Sequence, residues 1–330
     1  GVAGPRRVCT GCRAARDLVD MDAYRRLWRQ SHGLFSTNMA STRGCPFHCN
    51  WCAKPIWGQR YAMRSPEDVA AEMAEVRRRY MADHIWFADD IFGLRPQWTV
   101  DFGRAVAARQ CSVPFQIQTR VDLVTEEAAA GLAQAGCVEA WLGVESGSQS
   151  ILDAMDKGTR VEVVPGAVER LRSRGIRVGF FLQLGYPGET WADIAATANL
   201  VRAVVPDAIG VSVSYPLPGT RFHAAVAAQM DGRRRWHSSA DLAMMFRGTY
   251  TTDMYRALHR WFHGDVDARL ALARARSTGR GVAEAMARVA ASEAQWQALA
   301  GTEGQYRQAD ATPVAAAKPR PRPDLSGDAN

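Results

Sequence analysis

Residues 176–190 read Ile176-Arg177-Val178-Gly179-Phe180-Phe181-Leu182-Gln183-Leu184-Gly185-Tyr186-Pro187-Gly188-Glu189-Thr190. The first nine are an apolar run of strand length, which reads as a strand buried on both faces. Gly185-Tyr186-Pro187-Gly188 then breaks it. A helical pattern follows over 190–204. Strand, short turn and helix together are the repeating unit of a parallel sheet with crossover helices.

The unit recurs on both sides. Residues 33–38, 84–90, 114–119, 138–144 and 209–214 read as strands. Helical patterns cover 98–109, 125–135 and 163–174, and another helix opens at Ser65-Pro66-Glu67-Asp68. There Ser65 caps, Pro66 occupies the first turn, and the acids meet the positive end of the dipole. Strand and helix thus alternate six times over about 180 residues. The even spacing predicts an α/β fold, a partial TIM-type (β/α)6 barrel, with its chemistry at the C-terminal strand ends. Those ends carry the unusual residues: the cysteine loop, Asp89-Asp90, Arg120, Glu145-Ser146-Gly147, Gly185 to Glu189, and Tyr215-Pro216-Leu217.

The expected organisation is an N-terminal remnant or linker over 1–32, a core over 33–220, a helical C-terminal extension over 221–300 and a disordered tail over 301–330. A short helix at 21–30 carries Tyr24, Leu27 and Trp28 on one face. The chain begins with Gly1 and not methionine, so it is expected to be a piece of a longer protein.

Composition sets the outer bounds. The 330 residues allow roughly two domains. The 47% hydrophobic and 23% charged fractions are those of a soluble globular protein. No apolar run is long enough to span a membrane, and no signal peptide opens the chain. Seven cysteines, an odd number, argue for reduced thiols and a cytoplasmic location. The net charge of +7 is carried nearly all by arginine and spread along helix faces, so nucleic acid is an unlikely partner.

Three of the cysteines decide the chemistry. Cys45-Pro46-Phe47-His48-Cys49-Asn50-Trp51-Cys52 is a C-x3-C-x2-C loop, whose thiolates can converge on one soft metal centre. Zinc would want a fourth ligand. His48 is strained away from the same ion, and Cys9 and Cys12 lie more than thirty residues upstream. A [4Fe-4S] cluster held by three cysteines fits better, and leaves one iron open to an exogenous ligand. Cys111 and Cys137 read as small buried residues.

On this loop, with Trp51 just before its third cysteine, the sequence resembles the radical SAM superfamily over about residues 33–220. The segments Phe87-Ala88-Asp89-Asp90-Ile91-Phe92, Gly143 to Ser148 and Gly185 to Thr190 resemble the cobalamin-binding branch related to the anaerobic magnesium-protoporphyrin IX monomethyl ester oxidative cyclase. The resemblance implies that S-adenosylmethionine (SAM) chelates the open iron. One electron cleaves the sulfonium, and the resulting 5′-deoxyadenosyl radical abstracts hydrogen from a substrate, in an oxidative cyclase or methyltransferase reaction. It also implies a reducing partner such as flavodoxin or ferredoxin.

Carried over residue by residue, the resemblance makes Cys45, Cys49 and Cys52 the cluster ligands. Asp89 or Asp90 contacts the methionine amino group, and Glu145 and Ser146 lie near the ribose. Gly185, Tyr186, Pro187, Gly188 and Glu189 form a loop that approaches the adenine, while Tyr215 and Leu217 flank the nucleoside. Arg120 pairs with the methionine carboxylate or a substrate acid. The plainer alternatives are helix caps for Asp89, Asp90 and Glu145, and a simple turn for 185–189.

The cobalamin branch carries a D-x-H-x-x-G loop in a preceding domain, and that loop is missing here. The expectation is a chain that binds the cluster and SAM, with cobalamin only if an upstream domain is absent. The tRNA methylthiotransferases resemble the same barrel but end in a small β-domain, unlike the helical end expected here. Trp236, Trp261, His237, Asp241 and His259 are expected around a flat, tetrapyrrole-like small molecule.

Overall fold

Buried, β-rich segments separated by capped helices leave one economical arrangement, a parallel sheet covered by helices on its outer face. The computed structural model, which describes residues 13–53, 61–230 and 241–308, has this arrangement. The chain enters through α1 (Met21–His32) into β1 (Ser36–Met39). A small antiparallel pair, β2 (Thr42–Arg43) with β3 (Ala62–Met63), brackets the cysteine loop. Then follow α2 (Pro66–Tyr80), β4 (His84–Phe87), α3 (Pro96–Arg109), β5 (Phe115–Thr119), α4 (Glu126–Ala135) and β6 (Cys137–Glu145). A short α5 (Gln149–Ala154), not foreseen in the sequence, precedes α6 (Val164–Arg172), β7 (Arg177–Leu184), α7 (Trp191–Val204) and β8 (Ala208–Val213).

The main sheet has six strands in the order β1-β4-β5-β6-β7-β8, every neighbouring pair parallel. β1 and β8 are its edges, so the barrel is partial. Alternation along the strands sorts the side chains. Phe115, Ile117, Ala140, Leu142, Val178, Phe180 and Ile209 join the core under the helices. Gln118, Gly143, Phe181, Gln183, Gly210 and Ser212 instead line one inner cavity. Four strands and the loop after β1 share that cavity, which requires the sheet to curl.

The helix starts are capped, the first as its sequence signals. Ser65 accepts from the Asp68 amide with Pro66 in the first turn, Thr125 accepts from Ala128, and Thr190 with Asp193 forms a capping box. Beyond β8 come α8 (Arg221–Val226), α9 (Thr252–Thr278) and α10 (Val282–Tyr306). α10 runs past residue 300 and ends beside a Tyr250–Arg307 bridge. Trp261 packs against Trp296, ring centroids 4.4 Å apart and tilted by 40°, and its indole donates to the Ser292 carbonyl. It therefore holds α9 to α10 and does not wall a substrate site. His259 lies against His263 on α9, outside the cavity lining. Trp236, His237, Cys9 and Cys12 lie outside the described residues. Among the described residues, no helix is long and apolar enough to cross a membrane.

Candidate active site

A cavity of about 1010 Å³ opens at the C-terminal strand ends. Cys45, Cys49 and Cys52 all line it, as do Asp90, Arg120, Glu145, Tyr215 and Leu217. None of the five described cysteines is in a disulfide.

The cysteine loop is built from both sides. On one side Phe47 is buried against Ile91, Leu94 and Leu123, with Cys45 and Cys49 packed on that cluster. On the other, Asn50 donates its side-chain amide to the Ala154 carbonyl at 2.7 Å and its backbone N–H to Met155 at 3.0 Å. Arg221 donates to the His48 carbonyl and to Asp156, both at 2.6 Å.

The two acids after β4 have separate roles. Asp89 is buried, and its carboxylate accepts from the Ser41 and Thr42 amides at 2.8 and 2.9 Å and from the Ser41 hydroxyl. Burial pushes its pKa up to about 6, against those hydrogen bonds. Asp89 therefore shapes the turn into the cysteine loop, a correction to its expected ligand contact. Asp90 is the one at the cavity, where it accepts from the Gly44 amide at 3.1 Å.

Arg120 is buried and fully engaged. It pairs with Asp122 at 2.9 Å, donates to the Lys157 carbonyl at 2.8 Å and reaches Cys49 Sγ at 3.9 Å. Glu145 accepts from Lys157 Nζ at 2.7 Å, with both side chains buried and in the cavity wall. Gly143 makes this pair fit, since a Cβ there would stand 2.8 Å from the Lys157 Nζ. Glu145 itself sits at φ 63°, at a break in the β6–β7 register. Lys157 escaped the sequence reading. Its one signal was being a rare lysine in an arginine-rich chain.

The remaining expected residues are displaced from the cavity lining. Ser146 is buried, with its hydroxyl 3.2 Å from that of Thr197 and accepting from the Ser148 amide. Tyr186-Pro187-Gly188-Glu189 is a β-turn closed by Glu189 N–H to the Tyr186 carbonyl, with proline second and Gly188 at φ 82°. Gly185 packs under α9, where a Cβ would meet Met244 and Tyr255 at 3.0 Å. Glu189 is fully buried, accepts from the Gly185 amide at 2.6 Å, and has its pKa pushed up to about 8 by desolvation. None of these residues touches the cavity. Tyr186 acts at a distance: its hydroxyl lies 3.1 Å from Asn50 Oδ1 and 2.9 Å from the Ala154 carbonyl, bracing the cysteine loop.

Three thiols around one cavity beside a guanidinium are a donor set for a soft, anionic metal cluster. Among the described residues, no three His, Cys, Asp or Glu side chains sit close enough to hold a single metal ion.

The family model described as the radical SAM superfamily matches residues 39–201. Those residues form a radical SAM domain. Among its relatives, an uncharacterized methyltransferase of Pyrococcus horikoshii is 28% identical over 207 residues, 62% of this chain and 44% of that protein. The anaerobic magnesium-protoporphyrin IX monomethyl ester cyclase of Rubrivivax gelatinosus is 27% identical over 178 residues, 53% of this chain and 32% of the cyclase. The chain thus spans less than half the length of either relative. A solved structure of the radical S-adenosylmethionine methyltransferase TsrM from Kitasatospora setae, with cobalamin and a [4Fe-4S] cluster bound, is similar with a TM-score of 0.56 at 24% identity. That match covers 64% of this chain and 42% of TsrM, and it is a likeness of fold. The cysteine loop of the radical SAM domain lies within the matched span.

Proposed function

We propose that the chain is the catalytic core of a radical SAM enzyme. Cys45, Cys49 and Cys52 hold a [4Fe-4S] cluster, and the cavity takes SAM and a small organic substrate. The observation that carries this reading is the opening of all three cysteines into one large cavity at the C-terminal strand ends. When bound, the cluster supplies the electron that cleaves SAM to a radical able to abstract substrate hydrogen.

The residues supply binding, orientation and exclusion of water. SAM carries an ammonium, a carboxylate and a sulfonium, and the cavity rim offers both signs. Asp90, Glu145 and Asp241 are acids there, and Arg120 and Lys157 cations. Tyr215 and Leu217 give an apolar wall suited to a nucleoside. Residues 33–220 form the core of this reading and 221–300 its extension.

The reaction is of the oxidative cyclase or methyltransferase type, on a flat substrate such as a tetrapyrrole. The cyclase and methyltransferase names of the relatives support it. A cobalamin requirement belongs to it only together with a cobalamin-binding domain. A low-potential reductant, flavodoxin or ferredoxin, supplies the electron, and the reduced thiols suit the cytoplasm.

Anaerobic reconstitution with iron and sulfide tests the reading. Visible cluster absorbance and 5′-deoxyadenosine formation are expected in the parent chain. Both disappear together in Cys45→Ala, Cys49→Ala and Cys52→Ala, and both persist in Cys111→Ala. One equivalent of zinc without iron, or 5′-deoxyadenosine from the triple variant, sinks it.

A further inference from the structure

The cations of the cavity wall are matched, and two of its acids are not. Arg120 is paired with Asp122 at 2.9 Å, and Lys157 with Glu145 at 2.7 Å. The remaining acids of the lining, Asp90 and Asp241, meet no cationic side chain among the described residues. Asp90 accepts from the Gly44 amide, next to Cys45. Asp241 is exposed, and its carboxylate makes no hydrogen bond among the described residues. The surplus charge of the wall is therefore negative, and a cluster held by three thiolates adds to it. A cleft of one sign concentrates ligands of the other.

Asp241 is held by its backbone and not by its carboxylate. It lies on the segment between α8 and α9, and Arg256 of α9 donates to its carbonyl at 3.2 and 3.1 Å. The next residue, Leu242, stands at φ 56°. A leucine keeps that left-handed conformation only where its surroundings hold it there. The carboxylate faces Tyr215, whose pKa is raised by burial and by the Asp241 charge. Both residues line the cavity. A free acid beside an aromatic ring suits an organic cation, which gains from the charge and from the face of the ring.

We propose that Asp241 selects the substrate, pairing its carboxylate with a protonated amine or guanidinium on the molecule that shares the cavity with SAM. SAM has an ammonium, a sulfonium and a carboxylate, so it brings one net positive charge. Asp90, beside the cysteine loop, matches that charge and leaves Asp241 for the substrate. The inference rests on the reading of this cavity as a site for SAM and substrate. It narrows the flat substrate of that reading to one that presents a cation, and disfavours free carboxylates.

Three probes test this: 2-naphthylmethylamine, 2-naphthylmethanol and 2-naphthoate share one flat ring system and differ in charge. Their binding to the anaerobically reconstituted chain, with SAM bound and no reductant, is measured by ligand-observed NMR titration. The amine is expected to bind about 5-fold more tightly than the alcohol, as for one partly exposed ion pair, with the naphthoate weakest. Asp241→Asn is expected to erase the advantage of the amine while leaving SAM affinity and cluster absorbance unchanged. Equal or undetectable binding of the probes to the parent chain, or a naphthoate that binds best, overturns the proposal and needs no variant. So does an advantage that survives in Asp241→Asn, or a variant that loses SAM affinity in its place. Failure of the radical SAM reading appears separately, as a parent chain that forms no cluster.

Discussion

The Arg120 guanidinium reaches to 3.9 Å from the Cys49 Sγ while lying 3.7 Å over the ring of Phe47, inside the same cysteine loop. Asp122 and the Lys157 carbonyl fix it there. A cation with an N–H directed at a ligand sulfur favours the more negative, reduced state of a cluster. Arg120→Met is therefore expected to make the cluster potential more negative by about 60 mV, the one-electron equivalent of about 1.4 kcal/mol. A redox titration followed by electron paramagnetic resonance reads the shift, and an unchanged potential would reduce the contact to packing.

Tyr186→Phe removes only the hydroxyl that braces Asn50 and the Ala154 carbonyl. The expected stability loss is about 1–2 kcal/mol. Cluster loading should slow by more than a global loss of that size explains, because Asn50 sits between two of the ligands. Rates of absorbance growth during reconstitution, compared with an equally destabilised variant elsewhere, decide this.

Glu189 gives the fold a pH dependence. Its folded pKa, pushed up to about 8 by burial, stands above the ordinary glutamate value of 4.5 that it regains on unfolding. Between those values the folded chain holds a proton that the unfolded chain has lost. Stability therefore falls as pH rises through this window, by at most about 1.4 kcal/mol per unit from this one group. Glu189→Gln should flatten that slope, seen as a smaller drop in melting temperature between pH 5 and 8. Parallel slopes in the two proteins would count against it.

Arg202 on α7 lies over the rings of both Trp261 and Trp296, at 4.8 and 5.4 Å, and pairs with Asp265 and Glu293 at 3.4 and 2.9 Å. Asp265 is buried but keeps Arg269 at 2.8 Å. Arg202→Ala is expected to cost about 2–4 kcal/mol, below the full penalty of a stranded buried charge. Urea unfolding reads this, and a loss within about 0.5 kcal/mol would make the pair equivalent to a surface one.

Much of this was legible in the chain itself. Six strands and the helices between them followed from short apolar runs, from helical spacing and from the Ser65-Pro66 start. The cysteines, Asp90, Arg120, Glu145, Tyr215 and Leu217 line one cavity because strand ends of a parallel barrel share one mouth. Sequence position gives the end of the strand but not the direction of the side chain. Asp89 and Ser146 therefore passed as site residues, though both turn into hydrogen bonds of the scaffold. The 185–189 loop failed for a different reason, since α9 lies against it and α9 is remote in sequence. Lys157 is not legible in the chain because its place in the cavity wall depends on Glu145, its partner on another element.

The cysteine loop takes its shape from afar. Arg120, Ala154, Tyr186 and Arg221 grip it across separations of 71, 104, 136 and 173 residues. None of them has been synthesised when Cys52 leaves the ribosome, and contacts that close such long loops form late. The loop therefore gains its braced shape only when the chain has been made as far as Arg221 and the barrel has closed around it.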